Sequence, residues 1–439
     1  MGDRFLVVGL GVTGLAVARA LLDHGAEVVA TDDHLDAAPF GLDGLDVAFH
    51  PKPDAAHLDA LVAEASAVVP APGLPDAHAV FALAAIHGVQ IVSEFDLAAA
   101  WDERPIVAIT GTDGKTTVTT LVVAMLEASG LAAVGVGNTD IPLVEALTDP
   151  RHDVFVVEAS SFRLGRSRHF APRVAAWLNF APDHLDVHAS LDDYESAKAA
   201  IWRDQTPDQV AIGNADDPVV RRHLDTAPAR RVTFGSAGDY RVHDGWLVAP
   251  RGRIIEVASL PRRFPHDLAN ALAASACALE MGGSLDAVAD VLRGFVGLPH
   301  RLEFVAEHRG VAWYDDSKAT VPHASVAAAS AFEQVVLIAG GRNKGLDLAD
   351  LTGAGSVTAV VAIGEAADDV LEAFGDRVPS DRAPSMAEAV RLAADRARPG
   401  QTVLLSPGCA SFDWYRSYGE RGDDFKRCVG AYLETQGRP

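Results

Sequence analysis

Two glycine-rich turns, each entered from a short apolar run and left through a helical pattern, constrain this chain more than any other feature. Phe5–Val8 runs into Gly9-Leu10-Gly11-Val12-Thr13-Gly14, then a helical pattern from Leu15 to His24, then a second apolar run, Val28–Thr31, that stops at Asp32. Strand, tight turn, helix, strand is a βαβ unit, which calls for a parallel sheet with helices on its faces. Ile106–Thr110 repeats the design: it feeds Gly111-Thr112-Asp113-Gly114-Lys115-Thr116-Thr117 and a helix from about Val118 to Ser129. The chain is therefore expected to be α/β.

The alternation continues along the chain. Ala67–Val69 runs into Pro70-Ala71-Pro72-Gly73, and Val89–Val92 closes the first region near Trp101. After the phosphate-loop candidate come Val154–Val157, Val174–Leu178 and Gln209–Ile212; past the loop Gly297-Leu298-Pro299-His300-Arg301 come Val335–Ala339, Ala359–Ile363 and Thr402–Leu405. At roughly 100–200 residues per domain, a chain of 439 residues divides into three: 1–101, 102–298 and 299–439.

Composition excludes several classes of partner. Lys and Arg number 37 against 60 Asp and Glu, a net charge of −23 that repels nucleic acid and anionic membranes, so any phosphate site must be local. Cys277, Cys409 and Cys428 are too few and too scattered for a disulfide framework or a four-thiolate zinc site. Met1-Gly2-Asp3-Arg4 lacks the build of a signal peptide, and no apolar stretch reaches the ~18 residues of a membrane span. A cytoplasmic protein, active as a monomer, is the expectation.

Gly9-x-Gly11-x-x-Gly14 allows close backbone approach to a phosphate at a helix N-terminus, and Asp32, 18 residues past Gly14, stands where a ribose hydroxyl is read. Alone, the turn fits NAD, another nucleotide or a purely structural βα junction. The 110–116 segment lacks the first glycine of the usual phosphate-binding loop, since Ile109 occupies that place. Even so, Gly111 and Gly114 permit the curl, Lys115 can reach the β- and γ-phosphates of ATP, and Thr116 can ligate magnesium. Glu158, at the end of an apolar run, and His184, in Asp183-His184-Leu185-Asp186, are candidate metal ligands at the same sheet edge. Taken by themselves, Lys198, Arg301, Lys318 and Lys344 read as solvated surface charges, although Lys344 lies in the Gly-rich turn Gly340–Gly345. Cys409 has no paired histidine to make it a nucleophile.

Taken in order, Gly111–Thr117, Glu158-Ala159-Ser160-Ser161-Phe162, Asn179 to Asp186, Pro299–Glu303, Asp315–Thr320 and Ser406–Phe412 resemble the Mur ligases of peptidoglycan synthesis. The resemblance runs the length of the chain. It implies a Rossmann-like first domain that binds UDP rather than NAD, a central P-loop-type ATPase domain and a Rossmann-like C-terminal domain. It also implies ATP-driven addition of D-glutamate to UDP-N-acetylmuramoyl-L-alanine with two magnesium sites. Position by position, the nucleotide sugar falls to Val12, Thr13, Asp32, Ala71, Pro72, Gly73, Asn138 and Ser160. ATP falls to Gly111, Thr112, Asp113, Gly114, Lys115, Thr116, Thr117, Asn270, Arg301 and Asp316. Thr116, Glu158, His184 and a carbamylated Lys198 hold magnesium; Lys115, His184 and Lys198 carry the catalysis. The amino acid falls to Lys318, Thr320, Lys344, Ser411 and Phe412. Two positions depart from the family pattern, Asp267 and Val321, where asparagine is usual. The rival readings are a folylpolyglutamate synthase-like ligase, a ligase for a different amino acid, an NAD-dependent oxidoreductase and a non-catalytic UDP-sugar-binding protein.

Overall fold

Continuous apolar runs that disappear from solvent on both faces build this molecule, as parallel sheets covered by helices require. A computed structural model describes residues 3–139, 141–183, 188 and 190–436, and the chain forms two compact units, 1–295 and 296–439.

The first unit contains two parallel sheets. One comprises β1 (Arg4–Val8), β2 (Glu27–Asp32), β3 (Val47–Pro51), β4 (Ala67–Pro70) and β5 (Gln90–Ile91), in the order β3-β2-β1-β4-β5. The chain builds outward on one side of β1 and then returns to the other, so the turns after β1 and β4 part at the carboxyl edge. That divergence is the topological switch point at which open α/β sheets take ligands. The second sheet comprises β6 (Ile106–Thr110), β7 (Ala133–Gly137), β8 (Val154–Glu158), β9 (Val174–Trp177), β10 (Val210–Asn214) and β11 (Arg230–Phe234). Its order, β11-β10-β9-β6-β8-β7, puts β6 at the switch, with β8 and β9 as neighbours. A small antiparallel sheet of β12 (Arg241–His243), β13 (Trp246–Ala249) and β14 (Gly252–Glu256) follows.

Helix Lys115–Ala128 explains how the second sheet fixes its loop. Val118, Leu121, Val122, Met125 and Leu126 are buried at helical spacing against the sheet and helix Pro265–Glu280. Its N-cap is Gly114, with no side-chain cap, so its first N–H groups lack a capping side chain. The helix begins at Lys115, earlier than the expected Val118, because the lysine and threonines of the loop are themselves helical.

The second unit is built on β15 (Glu303–His308), β16 (Val311–Asp315), β17 (Val335–Gly340), β18 (Val357–Ile363), β19 (Ser380–Arg382) and β20 (Thr402–Leu405), ordered β15-β16-β20-β17-β18-β19. Only β15 runs antiparallel. The loops after β16, β17 and β20 therefore share one edge. No helix among the described residues is long and apolar enough to cross a membrane.

Candidate active site

Gly114 shows why the loop after β6 needs glycine. Its φ is +83°, and a Cβ there would stand 2.5 Å from Asn270 Oδ1, so helix Pro265–Glu280 is seated directly against the loop. Asn179, beyond β9, holds the other side: its Oδ1 accepts from Asp113 N–H at 2.9 Å and its Nδ2 donates to Asp113 O at 3.1 Å. Thr112 Oγ1 donates to Ala181 O at 3.1 Å. Gly111 through Thr117 thus form one braced loop between β6 and its helix.

Two lysines meet inside it. Lys115 Nζ donates to Gly111 O at 2.8 Å and to Thr112 O at 2.9 Å, while Lys198 Nζ donates to the same Gly111 O at 2.8 Å. Lys198 is 1% exposed, which corrects the surface reading of its sequence neighbourhood. It projects from helix Leu191–Arg203, whose Tyr194, Ala197, Ile201 and Trp202 are buried alongside it. Burial, with the charge of Lys115 added, holds the Lys198 amine well below the usual lysine range. Two ammonium groups on one buried oxygen repel; an uncharged Lys198 relieves that.

Glu158 closes β8 beside the loop at 3% exposure. Its Oε1 accepts from Asn138 Nδ2 at 3.0 Å, whereas Oε2 is buried without a hydrogen-bond partner. A buried, orphaned carboxylate oxygen next to a phosphate-type loop is what a hard cation would satisfy, so the donor set fits magnesium. Thr116 is half-buried on the same loop. His184 lies outside the described residues.

At the first sheet, Asp32 Oδ2 accepts from Leu10 N–H at 2.8 Å and Oδ1 from His34 and Leu35 N–H at 2.9 and 3.3 Å. Burial opposes its ionisation, but these donors outweigh it and the carboxyl sits below its ordinary range. Asp32 therefore shapes the glycine turn and is held as an anion. Val12 is 64% exposed at the turn's mouth; Thr13, Ala71 and Pro72 line a cavity with Phe162, Arg163 and Arg166. Ser160 caps helix Ser161–Arg166 by accepting from Arg163 N–H. Sequence reasoning passed over both arginines, yet their spacing in Ser161-Phe162-Arg163-Leu164-Gly165-Arg166 already put them on one helix face.

In the second unit, Asp316 is 8% exposed. Ser406 Oγ donates to its Oδ2 at 2.7 Å and Leu302 N–H to its Oδ1 at 3.2 Å; burial pushes this carboxyl up to about 7. Arg301 and Lys318 are half-buried, Lys318 with Nζ 5.2 Å from the Tyr418 ring centre. Thr320 is half-buried, Ser411 buried, Lys344 exposed and Phe412 57% exposed. Arg421, another residue the sequence did not flag, braces the loops that carry them. Its guanidinium donates to Ser317 Oγ (2.9 Å), Ser317 O (2.8 Å) and Cys409 O (3.0 Å), and burial lowers it to about 10. Cys409 is buried and its thiol raised to about 11 by burial, which suits a packed residue and not a nucleophile. Of the two departures, Asp267 pairs with Arg262 at 3.1 Å, and Val321 is the extended residue before Pro322 that opens helix Pro322–Ala329.

Parallel strand, glycine loop, helix and a neighbouring strand-end carboxylate define an α/β protein of the phosphate-binding-loop class. Three family models match in succession: "Mur ligase MurD-like, N-terminal domain" over 3–93, "Mur ligase middle domain" over 109–278 and "Mur ligase, glutamate ligase domain" over 300–409. The UDP-N-acetylmuramoylalanine--D-glutamate ligase of Frankia casuarinae is 41% identical, covering 98% of this chain and 94% of its own. The protein of the same name from Syntrophotalea carbinolica is 38% identical, covering 98% of each. Among solved structures, MurF from Acinetobacter baumannii superposes with a TM-score of 0.61 at 20% identity over 97% of this chain and 90% of its own. The pseudomurein peptide ligase type C from Methanothermus fervidus gives 0.60 at 17% identity over 98% and 100%; at these identities the two bear on fold alone. The chain belongs to the Mur ligase family.

Proposed function

We propose that this protein is an ATP-dependent ligase that joins D-glutamate to UDP-N-acetylmuramoyl-L-alanine in peptidoglycan synthesis. The observation that carries the reading is identity of 41% and 38% along essentially the whole chain to ligases of that name. The braced loop with its two lysines is the chemistry such a reaction needs. An NAD-dependent oxidoreductase accounts for the first glycine turn only.

In this reading the chain divides at 1–101, 102–298 and 299–439, each part built on a sheet of its own, and each contributes most of the residues for one substrate. The nucleotide sugar takes the crevice of Val12, Thr13, Asp32, Ala71, Pro72, Gly73, Asn138 and Ser160. ATP takes Gly111–Thr117 with Asn270, Arg301 and Asp316; D-glutamate takes Lys318, Thr320, Lys344, Ser411 and Phe412. Magnesium, in two sites, has Thr116, Glu158, His184 and Lys198 as its ligands and when bound supplies positive charge against the phosphate oxygens. Lys198 serves as a carbamate: its uncharged amine adds to CO2 and releases a proton, leaving one negative charge shared by two oxygens.

The alanyl carboxylate attacks the γ-phosphorus, the bond to the β–γ bridging oxygen breaks and ADP leaves. The glutamate amine then attacks the acyl carbon, phosphate departs and the amine loses a proton. Lys115 offsets charge on the transferred group; unit charges ~4 Å apart at an effective dielectric of ~20 interact by about 4 kcal/mol. The protein works in the cytoplasm as a monomer. Phosphate release from ATP, measured with UDP-N-acetylmuramoyl-L-alanine while the amino acid is varied, tests the assignment. D-glutamate is expected to be the one amino acid that sustains turnover, and equal turnover with L-glutamate or a diamino acid would overturn it.

A further inference from the structure

A turn rich in proline satisfies few of its own carbonyls. Pro70 closes β4, and Pro72 and Pro75 leave the segment beyond it short of N–H donors; within it Leu74 N–H donates to Ala71 O at 3.1 Å. The missing donors come from the second sheet's side of the unit. Arg166, the last residue of helix Ser161–Arg166, sends Nη1 to Ala71 O at 2.9 Å and Pro72 O at 3.2 Å. Its Nη2 donates to Leu74 O and, at 2.9 Å, to Asp76 Oδ1. The guanidinium lies 4.8 Å from the Phe81 ring centre, and the side chain is 10% exposed. A planar fork with five donors suits three converging carbonyls; an ammonium, a single point, does not.

The held turn abuts the glycine turn. Gly9 has φ +90°, and a Cβ on it would stand 2.8 Å from Ala71 Cβ, so the two turns are in close contact across the β1/β4 switch point. Three residues earlier on the same helix face, Arg163 Nη2 donates to Thr13 Oγ1 at 2.9 Å while Nη1 pairs with Glu94. One short helix, starting three residues after Glu158, thus grips both lips of the crevice.

We propose that Arg166 is a positioning residue for the nucleotide-sugar substrate: it fixes the Ala71-Pro72-Gly73 turn against the Gly9–Gly14 turn without touching the reacting atoms. The inference rests on the reading of this crevice as the nucleotide-sugar site. Losing the fork lets the turn relax, which weakens one substrate and leaves the phosphate loop as it was. Misplacement of a binding element on the scale of 1 Å costs on the order of tenfold or more.

Calorimetric titration with UDP-N-acetylmuramoyl-L-alanine, together with KM and kcat for each substrate, tests this on the full-length protein. Arg166→Ala is expected to raise Kd and KM for the nucleotide sugar about tenfold while KM for ATP and kcat stay within about twofold. Arg166→Gln, a gentler change that keeps one amide donor, should move the same constants in the same direction by about threefold, so the test survives if the alanine variant does not fold. Asp76→Asn, which removes only the exposed ion pair, should match wild type. Wild-type binding of the nucleotide sugar by both Arg166 variants, or a parallel rise in KM for ATP, would overturn the proposal. A folded wild-type protein that does not bind this probe overturns the reading of the crevice itself, and the proposal with it.

Discussion

The loop around Gly111 in the first unit and the loops that carry Thr320, Lys344 and Ser411 in the second are built on opposite plans. Around Gly111 two charged groups are buried behind the loop: Glu158 is 3% exposed, and Lys198, 1% exposed, shares one carbonyl with the half-buried Lys115. In the second unit Arg421 and Ser317 are buried braces and Ser411 is buried with them, while Lys344 and Phe412 face solvent. The difference suits the chemistry proposed for the two places. Charge in a phosphoryl-transfer site is most effective when preorganised and desolvated, whereas a site that admits and orients a small dianion needs accessible cations on a rigid frame.

The largest expected effect is at Lys115. Lys115→Ala should lower kcat by ~10²–10³, as loss of one preorganised charge contact does, with circular dichroism unchanged; near-normal phosphate release by the folded variant would break the contrast. Lys198→Ala should be comparably inactive, and if Lys198 acts as a carbamate, short carboxylic acids in the assay should return part of the rate by supplying carboxylate oxygens in its place. A fully active variant that is indifferent to added acids would leave Lys198 a packing residue.

The exposed side of the comparison predicts gentler, substrate-selective losses. Lys344→Ala should raise KM for D-glutamate about tenfold and leave KM for ATP and for the nucleotide sugar unchanged. A uniform rise would place Lys344 among the braces. Smallest is a stability effect at Asp316. Its folded-state carboxyl is raised to about 7 from a usual value near 3.8, so the folded form holds the proton that the unfolded chain has released. The stabilisation is complete below the unfolded value and is lost as pH rises through about 7. Asp316→Asn lacks this loss, so its Tm should gain on wild type by a few degrees between pH 4 and pH 8. A constant gap would show that the carboxyl is ionised when folded.

Sequence periodicity made the parallel framework legible because β1, β6, β17 and β20 are apolar runs buried on both faces. It missed β3, β7, β11 to β16 and β19, which are short, mixed or half-exposed and carry no such run. The loop Gly111–Thr117 was readable because glycine, lysine and threonine have a local reason to be adjacent. Lys198 was not, since its burial depends on Gly111, far away in sequence. Arg166 and Arg421 were missed for a related cause: most of their hydrogen bonds go to backbone carbonyls far off in sequence, which leave no trace in residue identity.

The central claim is that the loop around Gly111, with Lys198 and Glu158 buried behind it, drives phosphoryl transfer to the substrate's own carboxylate. Turnover with UDP-N-acetylmuramoyl-L-alanine labelled with 18O in the alanyl carboxylate, followed by mass spectrometry of the released phosphate, tests it most directly. The account predicts one labelled oxygen in each phosphate formed from fully labelled substrate. Unlabelled phosphate, released at the same rate as the amide product, would contradict it.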